Sequence, residues 1–375
     1  MLPFLLFYLT IYGGAHAYLL SRTVRGFHLA APCPAIFLVV SVFMVLAPIL
    51  VRVLERSGMD GPARFVAHLG YLWMGFFFLF LSASLALDLV RGVLAAAGWL
   101  WQRDLMLPEA RLLTLSICLA LAASLYGFFE ARSIRVERVT LHSAKLPKDV
   151  GRVRIVQISD VHLGIMFGKE GLRRVLDKVA ELGPDLLLCT GDLVDGQMDG
   201  LGGRDEELSA LHPPLGKFAV LGNHEVFAGV APSVSFTRRS GFRLLRGEAV
   251  AVADFLTVAG VDDPALPRGA GEATEQALLA SLPRDRFTIL LKHRPTVEQQ
   301  SRGLFDLQLS GHVHKGQIFP FNLITHLVYP VKMGLSGGGA GSLLYVSRGS
   351  GTWGPPLRVL APPEVTVIDL LPAPR

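Results

Sequence analysis

The first 130 residues are largely apolar, interrupted by short polar connections, and beyond about residue 150 short apolar runs alternate with amphipathic stretches. Four apolar stretches, residues 1–20, 35–51, 65–87 and 112–129, stand out. Each is near the roughly 17–25 residues that a helix needs to cross a hydrocarbon core about 30 Å thick. The first stretch has no basic segment ahead of it and three more behind it, so it reads as a retained anchor, not a cleaved signal. Trp73, Trp99 and Trp101 lie near the ends of these stretches, where amphipathic rings favour the membrane interface. The run Val93–Gly98 is too short to span and is expected to lie along the interface before the fourth helix. Asp88 reads as marking the end of the third span beside Arg91, in preference to an intramembrane functional acid.

The second half has a different period. Candidate strands are Val153–Ile158, Asp185–Cys189, Phe218–Leu221, Phe255–Val261, Phe287–Leu291 and Asp306–Leu309. Between the first two, Leu172, Val175, Leu176, Val179 and Leu182 share one face of a helix predicted over Glu170–Leu182, stopped by Pro184. Such strand–helix–strand units predict an α/β sheet covered on both faces. The chain therefore divides into a membrane domain over 1–130, an exposed connector over 131–150 and a catalytic-type domain over 151–375.

Composition sharpens the division. Of 375 residues 51% are hydrophobic and only 18% charged, which excludes disorder. Residues 1–149 hold 13 Lys and Arg against 8 Asp and Glu; subtracting from chain totals of 36 and 31 leaves 23 of each beyond. The net charge of +5 thus sits wholly in the apolar half, flanking the spans. That pattern is membrane topology, and no nucleic-acid partner is expected. With both termini inside, eight basic residues of the connections face the cytoplasm against five outside, which places the second half in the cytoplasm. Cys33, Cys118 and Cys189 form no spaced pair and give neither a disulfide framework nor a thiolate site.

Chemistry concentrates where the apolar runs end. Val153–Ile158 leads to Asp160 and His162, Leu186–Thr190 to Asp192, and Val220–Leu221 to Asn223, His224 and Glu225. Leu290–Leu291 leads to His293, and Leu307–Leu309 to His312 and His314. In open α/β sheets the carboxyl ends of strands are where ligands bind. Any one of these pieces is common; five in order, most of them behind a close-approach glycine, are not. Carboxylates, imidazoles and an amide oxygen without thiolate suit Mn, Fe, Zn or similar ions. The donors exceed the needs of one ion, which implies a pair about 3.5–4 Å apart sharing a carboxylate.

These five blocks resemble those of the calcineurin-like metallophosphoesterases, and the tail from Leu344 to Arg358 is similar to that of their membrane-associated bacterial branch. The resemblance covers about residues 151–370 and implies a β-sandwich flanked by helices. It implies two divalent transition-metal ions (Mn, Fe or Zn). One would be held by Asp160, His162, Asp192 and His314, the other by Asp192, Asn223, His293 and His312, with Asp192 bridging. It implies attack on phosphorus by a hydroxide between the metals, with His224 protonating the leaving group and Glu225 orienting His224.

Lys315 departs from the pattern, standing where a glycine is expected, and Lys292 and Arg294 flank His293. With Arg348 in its Gly-rich turn, these cations are candidate contacts for an anionic substrate; solvated side chains and turn geometry are the alternative. The expected function is hydrolysis of a phosphoester or pyrophosphate on an amphiphilic, lipid-linked substrate, with membrane lipids as partners. Two other readings stay open: a phosphodiesterase for soluble nucleotides, and a non-catalytic membrane protein whose domain binds metal or phosphate for assembly.

Overall fold

The structure is a computed structural model describing residues 2–196, 198, 201–266 and 274–374, with the side chains of 2–4 outside the description. The chain forms two compact units, residues 1–128 with 354–357, and residues 129–353 with 358–375.

The first unit contains α1 (Leu2–Gly26), α2 (Cys33–Arg56), α3 (Asp60–Trp101) and α4 (Glu109–Glu130). Among the described residues, α2, α3 and α4 are long and apolar enough to cross a membrane. The first apolar stretch folds as α1, in which Tyr8, Tyr12, His16 and Tyr18 dilute the apolar sequence, and α1 does not meet that measure. A correction concerns Val93–Gly98, which is no separate element but the continuation of α3. At 1.5 Å per residue the 42 residues of α3 extend about 63 Å, twice a hydrocarbon core. Asp88 is also differently placed: it pairs with Arg22 of α1 at 2.7 Å and accepts from the Tyr18 hydroxyl, while Arg91 lies 3.7 Å from Glu109. Arg22 is almost wholly buried, so the pair satisfies a charge that apolar surroundings would otherwise penalise.

Among the described residues the second unit has twelve strands. In chain order they are β1 (Arg135–Ser143), β2 (Val153–Ile158), β3 (Leu186–Cys189), β4 (Lys217–Ala219), β5 (Arg243–Leu244) and β6 (Glu248–Ala253). There follow β7 (Leu256–Val261), β8 (Phe287–Lys292), β9 (Leu307–Ser310), β10 (Gly334–Gly339), β11 (Ser342–Val346) and β12 (Glu364–Pro372). Its helices are α5 (Lys169–Leu182), α6 (Arg204–Ser209), α7 (His224–Ala228), α8 (Val230–Arg239), α9 (Glu275–Ala280) and α10 (Phe321–Val328). All six expected strands form, and Gly183 caps α5 in the left-handed conformation just before Pro184.

The strands make two six-stranded sheets, ordered β1-β12-β2-β3-β4-β5 and β10-β11-β9-β8-β7-β6. Alternation along each strand explains the layering. Ile155, Leu186 and Leu188 of the first sheet meet Val258, Ile289 and Leu309 of the second in one buried cluster. Val156, Leu187 and Cys189 point the other way and pack against Leu172, Val175 and Val179 of α5. On the far face of the second sheet, Ala259 and Leu290 meet Leu279 of α9. The result is a β-sandwich flanked by helices.

The connector expected over 131–150 is in large part β1, which runs parallel to β12 from Arg135↔Glu364 to Ser143↔Pro372 at the sheet's edge. Its charges concealed it, because edge strands carry charges to discourage further pairing.

Candidate metal centre

Strands β2, β3, β4, β8 and β9 all end at one place, and each delivers its side chains just past its carboxyl end. The backbone there is unusual: Asp160, His162, Asp192, His312 and His314 all have φ between 46° and 72°. Non-glycine residues in this region each cost of order 1–3 kcal/mol, and such strain concentrates at functional sites. Two glycines permit the approach. A Cβ on Gly222 would stand 2.2 Å from Asp192 Oδ1, and one on Gly311 would stand 2.0 Å from Asp160 Oδ2.

The seven expected ligand residues converge in two groups. In the first, His314 Nε2 lies 3.0 Å from His162 Nε2 and 3.4 Å from Asp160 Oδ1. In the second, His293 Nε2 lies 3.1 Å from Asp192 Oδ2, 3.2 Å from Asn223 Oδ1 and 3.1 Å from His312 Nδ1. Asp192 Oδ2 also stands 3.8 Å from His162 Nε2, which puts this carboxylate between the groups. The sets Asp160–His162–His314 and Asp192–His293–His312 each have donor atoms close enough to hold one ion.

Whether a metal fits is decided by the donors. Two imidazole nitrogens 3.0 Å apart can share one proton at most, whereas a cation between them uses both lone pairs. His293 Nδ1 donates to the Thr190 carbonyl over 2.8 Å, which fixes its tautomer and leaves Nε2 free to ligate. Burial would lower the His293 pKa, but Asp192, Asp160 and Asp263 push it up to about 10, so the surroundings favour positive charge at that position. Burial would raise the Asp192 carboxyl, yet His293, His224 and His162 hold it well below the usual carboxylate range. His312, lowered to about 3 by burial and by His293, is a neutral imidazole. The residues fit two divalent cations.

His224 and Glu225 open α7 beside this cluster. His224 Nδ1 donates to Asp195 Oδ1 over 2.8 Å, and its backbone N–H donates to Asp192 Oδ1 over 2.9 Å. His162, Asp192 and His224 also satisfy ion-holding spacing; with Nδ1 bonded to Asp195, Nε2 is the His224 nitrogen left to meet an ion or to carry a proton. The role expected of Glu225 is corrected: its carboxylate accepts backbone N–H groups of Gly222, Asp192, Leu193 and Val194 at 2.7–3.2 Å. It braces the loops behind the site, and Asp195 is the carboxylate on His224.

Three of the four expected substrate cations are also corrected. Lys292 Nζ is 2.6 Å from Glu275 and 3.1 Å from Glu298, and Arg294 Nε is 2.7 Å from Asp263. Arg348 Nε is 2.8 Å from Glu364, and its Nη2 pairs with Glu137. Their charges are neutralised internally. Lys315, half-buried and with its pKa lowered by burial and by Arg348, forms no ion pair among the described residues.

The sequence reading missed Asp195, Arg358 and an aromatic rim. Arg358 is fully buried, donates to the carbonyls of Gly351, His314, Arg348 and Ala361, and lies 3.0 Å from His314 Nδ1. The rings of Phe227 and Trp353 stand edge-on to His224 at 5.2 and 5.8 Å, and Tyr329 stands 5.4 Å from His312.

The family model for calcineurin-like phosphoesterases matches residues 153–316. An uncharacterized metallophosphoesterase of Aquifex aeolicus is 39% identical over 255 residues, covering 67% of this chain and 97% of its own. The chain belongs to the calcineurin-like metallophosphoesterase family. This metallophosphoesterase is also similar along 96% of its length to one from Campylobacter jejuni, at 30% identity and 96% of that chain. A zebrafish transmembrane protein with a metallophosphoesterase domain is 31% identical over 302 residues, covering 75% of this chain and 69% of its own. The first two relatives are themselves uncharacterized, so the substrate must be argued from the site.

Proposed function

We propose that the protein is a membrane-anchored dimetal hydrolase of phosphoester or pyrophosphate bonds. The observation that carries this reading is the pair of ligand groups meeting at Asp192, with His224 beside them held by Asp195. Asp160, His162, Asp192 and His314 would hold one divalent ion; Asp192, Asn223, His293 and His312 would hold the other. Ions bound there would neutralise charge on the phosphoryl oxygens and lower the pKa of water toward neutrality. The chain's own residues supply the rest. His224 keeps its proton because, although burial lowers its pKa, Asp192 and Asp195 raise it further. As water adds to phosphorus and the P–O bond breaks, His224 gives that proton to the departing oxygen, a step that contributes about 10²–10⁴-fold. Asp195 orients the imidazole, and Lys315, without an ion-pair partner among the described residues, would be the cation left to meet an anionic head group.

The substrate we favour is an amphiphile with a phosphate or pyrophosphate head. A soluble nucleotide would diffuse to an untethered domain, and one helix would suffice as a tether. Three helices able to cross a membrane, and an aromatic rim of Phe227, Trp353 and Tyr329 around His224 and His312, support a substrate with apolar tails. The basic count favours a cytoplasmic catalytic unit; a C-terminal reporter active only after export should be silent, and strong reporter activity would overturn that reading.

The deciding experiment gives purified full-length protein Mn²⁺ and an aryl phosphodiester, then compares a lipid-linked pyrophosphate with its water-soluble head-group analogue. Turnover of the aryl ester separates an enzyme from a metal-binding assembly domain. A kcat/KM for the lipid no better than for the soluble analogue would reject the amphiphile.

A further inference from the structure

Helix α10 is built inside out. Its eight residues, Phe321–Val328, include none that is buried. Phe321, Leu323, Ile324, Leu327 and Val328 face outward, Leu327 at 84% exposure. The side turned to the protein carries Asn322 and Thr325, both half-buried, with the Asn322 backbone packed over Gly316, where a Cβ would stand 2.5 Å away; the polar His326 is exposed with the apolar residues. A helix on a soluble domain buries its apolar stripe and shows its polar one. Here the stripes are exchanged, and Phe319 just before the helix and Met333 and Leu335 just after it extend the exposed apolar surface. Monomeric soluble proteins seldom leave such a patch uncovered.

We infer that α10 inserts into the surface of the bilayer that anchors the chain, and holds the metal centre at head-group depth. The inference rests on the membrane reading above, because helices able to cross a bilayer keep one within reach of the second unit. It also rests on position. Tyr329, the residue after α10, reaches the ring of the candidate ligand His312, and Lys332, three residues further, is tied to the Asn322 carbonyl at 3.2 Å. An interfacial helix with an apolar outer arc and a basic residue at its edge sinks about 5–10 Å into the head-group boundary. An acyl chain lying along Leu323 and Leu327 would leave its phosphate beside Tyr329 and His312. The bilayer thus becomes one wall of the substrate site.

The test uses the full chain in nanodiscs, with exposed Cys33 and Cys118 replaced by serine. An environment-sensitive fluorophore is attached at Leu327→Cys and, as control, at Arg173→Cys on the exposed face of α5. Spin-labelled lipid should quench the first and spare the second; iodide should do the reverse. Iodide quenching at position 327 equal to that at 173 overturns the inference. So does shielding from both quenchers, which would mean that protein covers the helix. A second arm measures the doubly substituted Leu323→Glu, Leu327→Glu protein. Turnover of a lipid-linked pyrophosphate should fall at least ten-fold while turnover of the aryl phosphodiester is retained; unchanged lipid turnover counts against insertion. Quenching does not depend on catalysis. A catalytically silent protein with a lipid-quenched Leu327 would therefore reject the hydrolase reading and leave this one standing.

Discussion

His224 and Asp195 form the contact on which the proposed proton transfer depends: Nδ1 of the imidazole donates to Oδ1 of the carboxylate over 2.8 Å. Burial would raise Asp195, but hydrogen bonding and attraction from His162 and His224 hold it well below the usual carboxylate range, so it stays ionised. His224 is raised in return, burial being outweighed by Asp192 and Asp195. An acid must be protonated to act, so kcat should fall as pH rises through the raised His224 pKa. Asp195→Asn removes one of the groups that raise it. The alkaline limb of the kcat profile should move to lower pH, toward the ordinary histidine value of about 6.5. Part of the ~10²–10⁴-fold that a general acid supplies should be lost at neutral pH. An alkaline limb unchanged in the variant would show that another group carries the proton.

Removing Asp192 or His224 should have separable consequences. Asp192 stands between both ligand groups, so Asp192→Ala should lose both ions and all activity. His224→Ala should keep two ions per chain by elemental analysis while kcat falls about 10²–10⁴-fold. Because His224 also satisfies ion-holding spacing with His162 and Asp192, loss of metal in His224→Ala would make it a ligand.

Glu225 should matter for stability more than for proton transfer. Its carboxylate accepts four backbone N–H groups, and orphaning buried donors costs about 1–3 kcal/mol each. Glu225→Ala should therefore unfold at markedly lower temperature, with a loss of about 3 kcal/mol or more. The protein that does fold should keep the parent's alkaline limb. A variant with the parent's Tm and a displaced limb would return Glu225 to the orienting role expected from its adjacency to His224.

That reversal shows where the sequence is legible. The candidate metal-binding side chains follow apolar runs at strand ends, and close-approach glycines mark several of them, so their convergence could be read before the fold was seen. Asp195 lies three residues past Asp192 in a loop without regular period, and nothing in spacing ties it to His224. Glu225 is next to His224 in the chain, but its carboxylate turns back under the loop after β3. Pairing across long stretches was equally hidden: β1 and β12 are neighbours only because Arg135 comes into register with Glu364. The Gly-rich β10, four of whose six residues are glycine, offers no side-chain alternation to read. The cations Lys292, Arg294 and Arg348 were visible, but their carboxylate partners were not.

Arg358 leads to the last prediction. A guanidinium with no exposed surface is costly unless its donors are all used, and here they bind the carbonyls of His314, Arg348, Gly351 and Ala361. Burial lowers its pKa to about 10, with Asp160 opposing, so it remains a cation at neutral pH. It thereby gathers the Gly-rich turn after β11 and fixes His314 by its backbone. Lysine has one ammonium in place of the planar fork and cannot reach the same set. Arg358→Lys should lose about 3 kcal/mol or more, as expected when a buried charge network is broken. His314 belongs to the first ligand group, with Asp160 and His162, while the second is built on Asp192, His293 and His312. Elemental analysis should accordingly find close to one ion per chain in the folded variant where the parent holds two. Two ions and an unchanged Tm would mean that the turn needs no guanidinium, and that His314 is positioned by the loop after β9 alone.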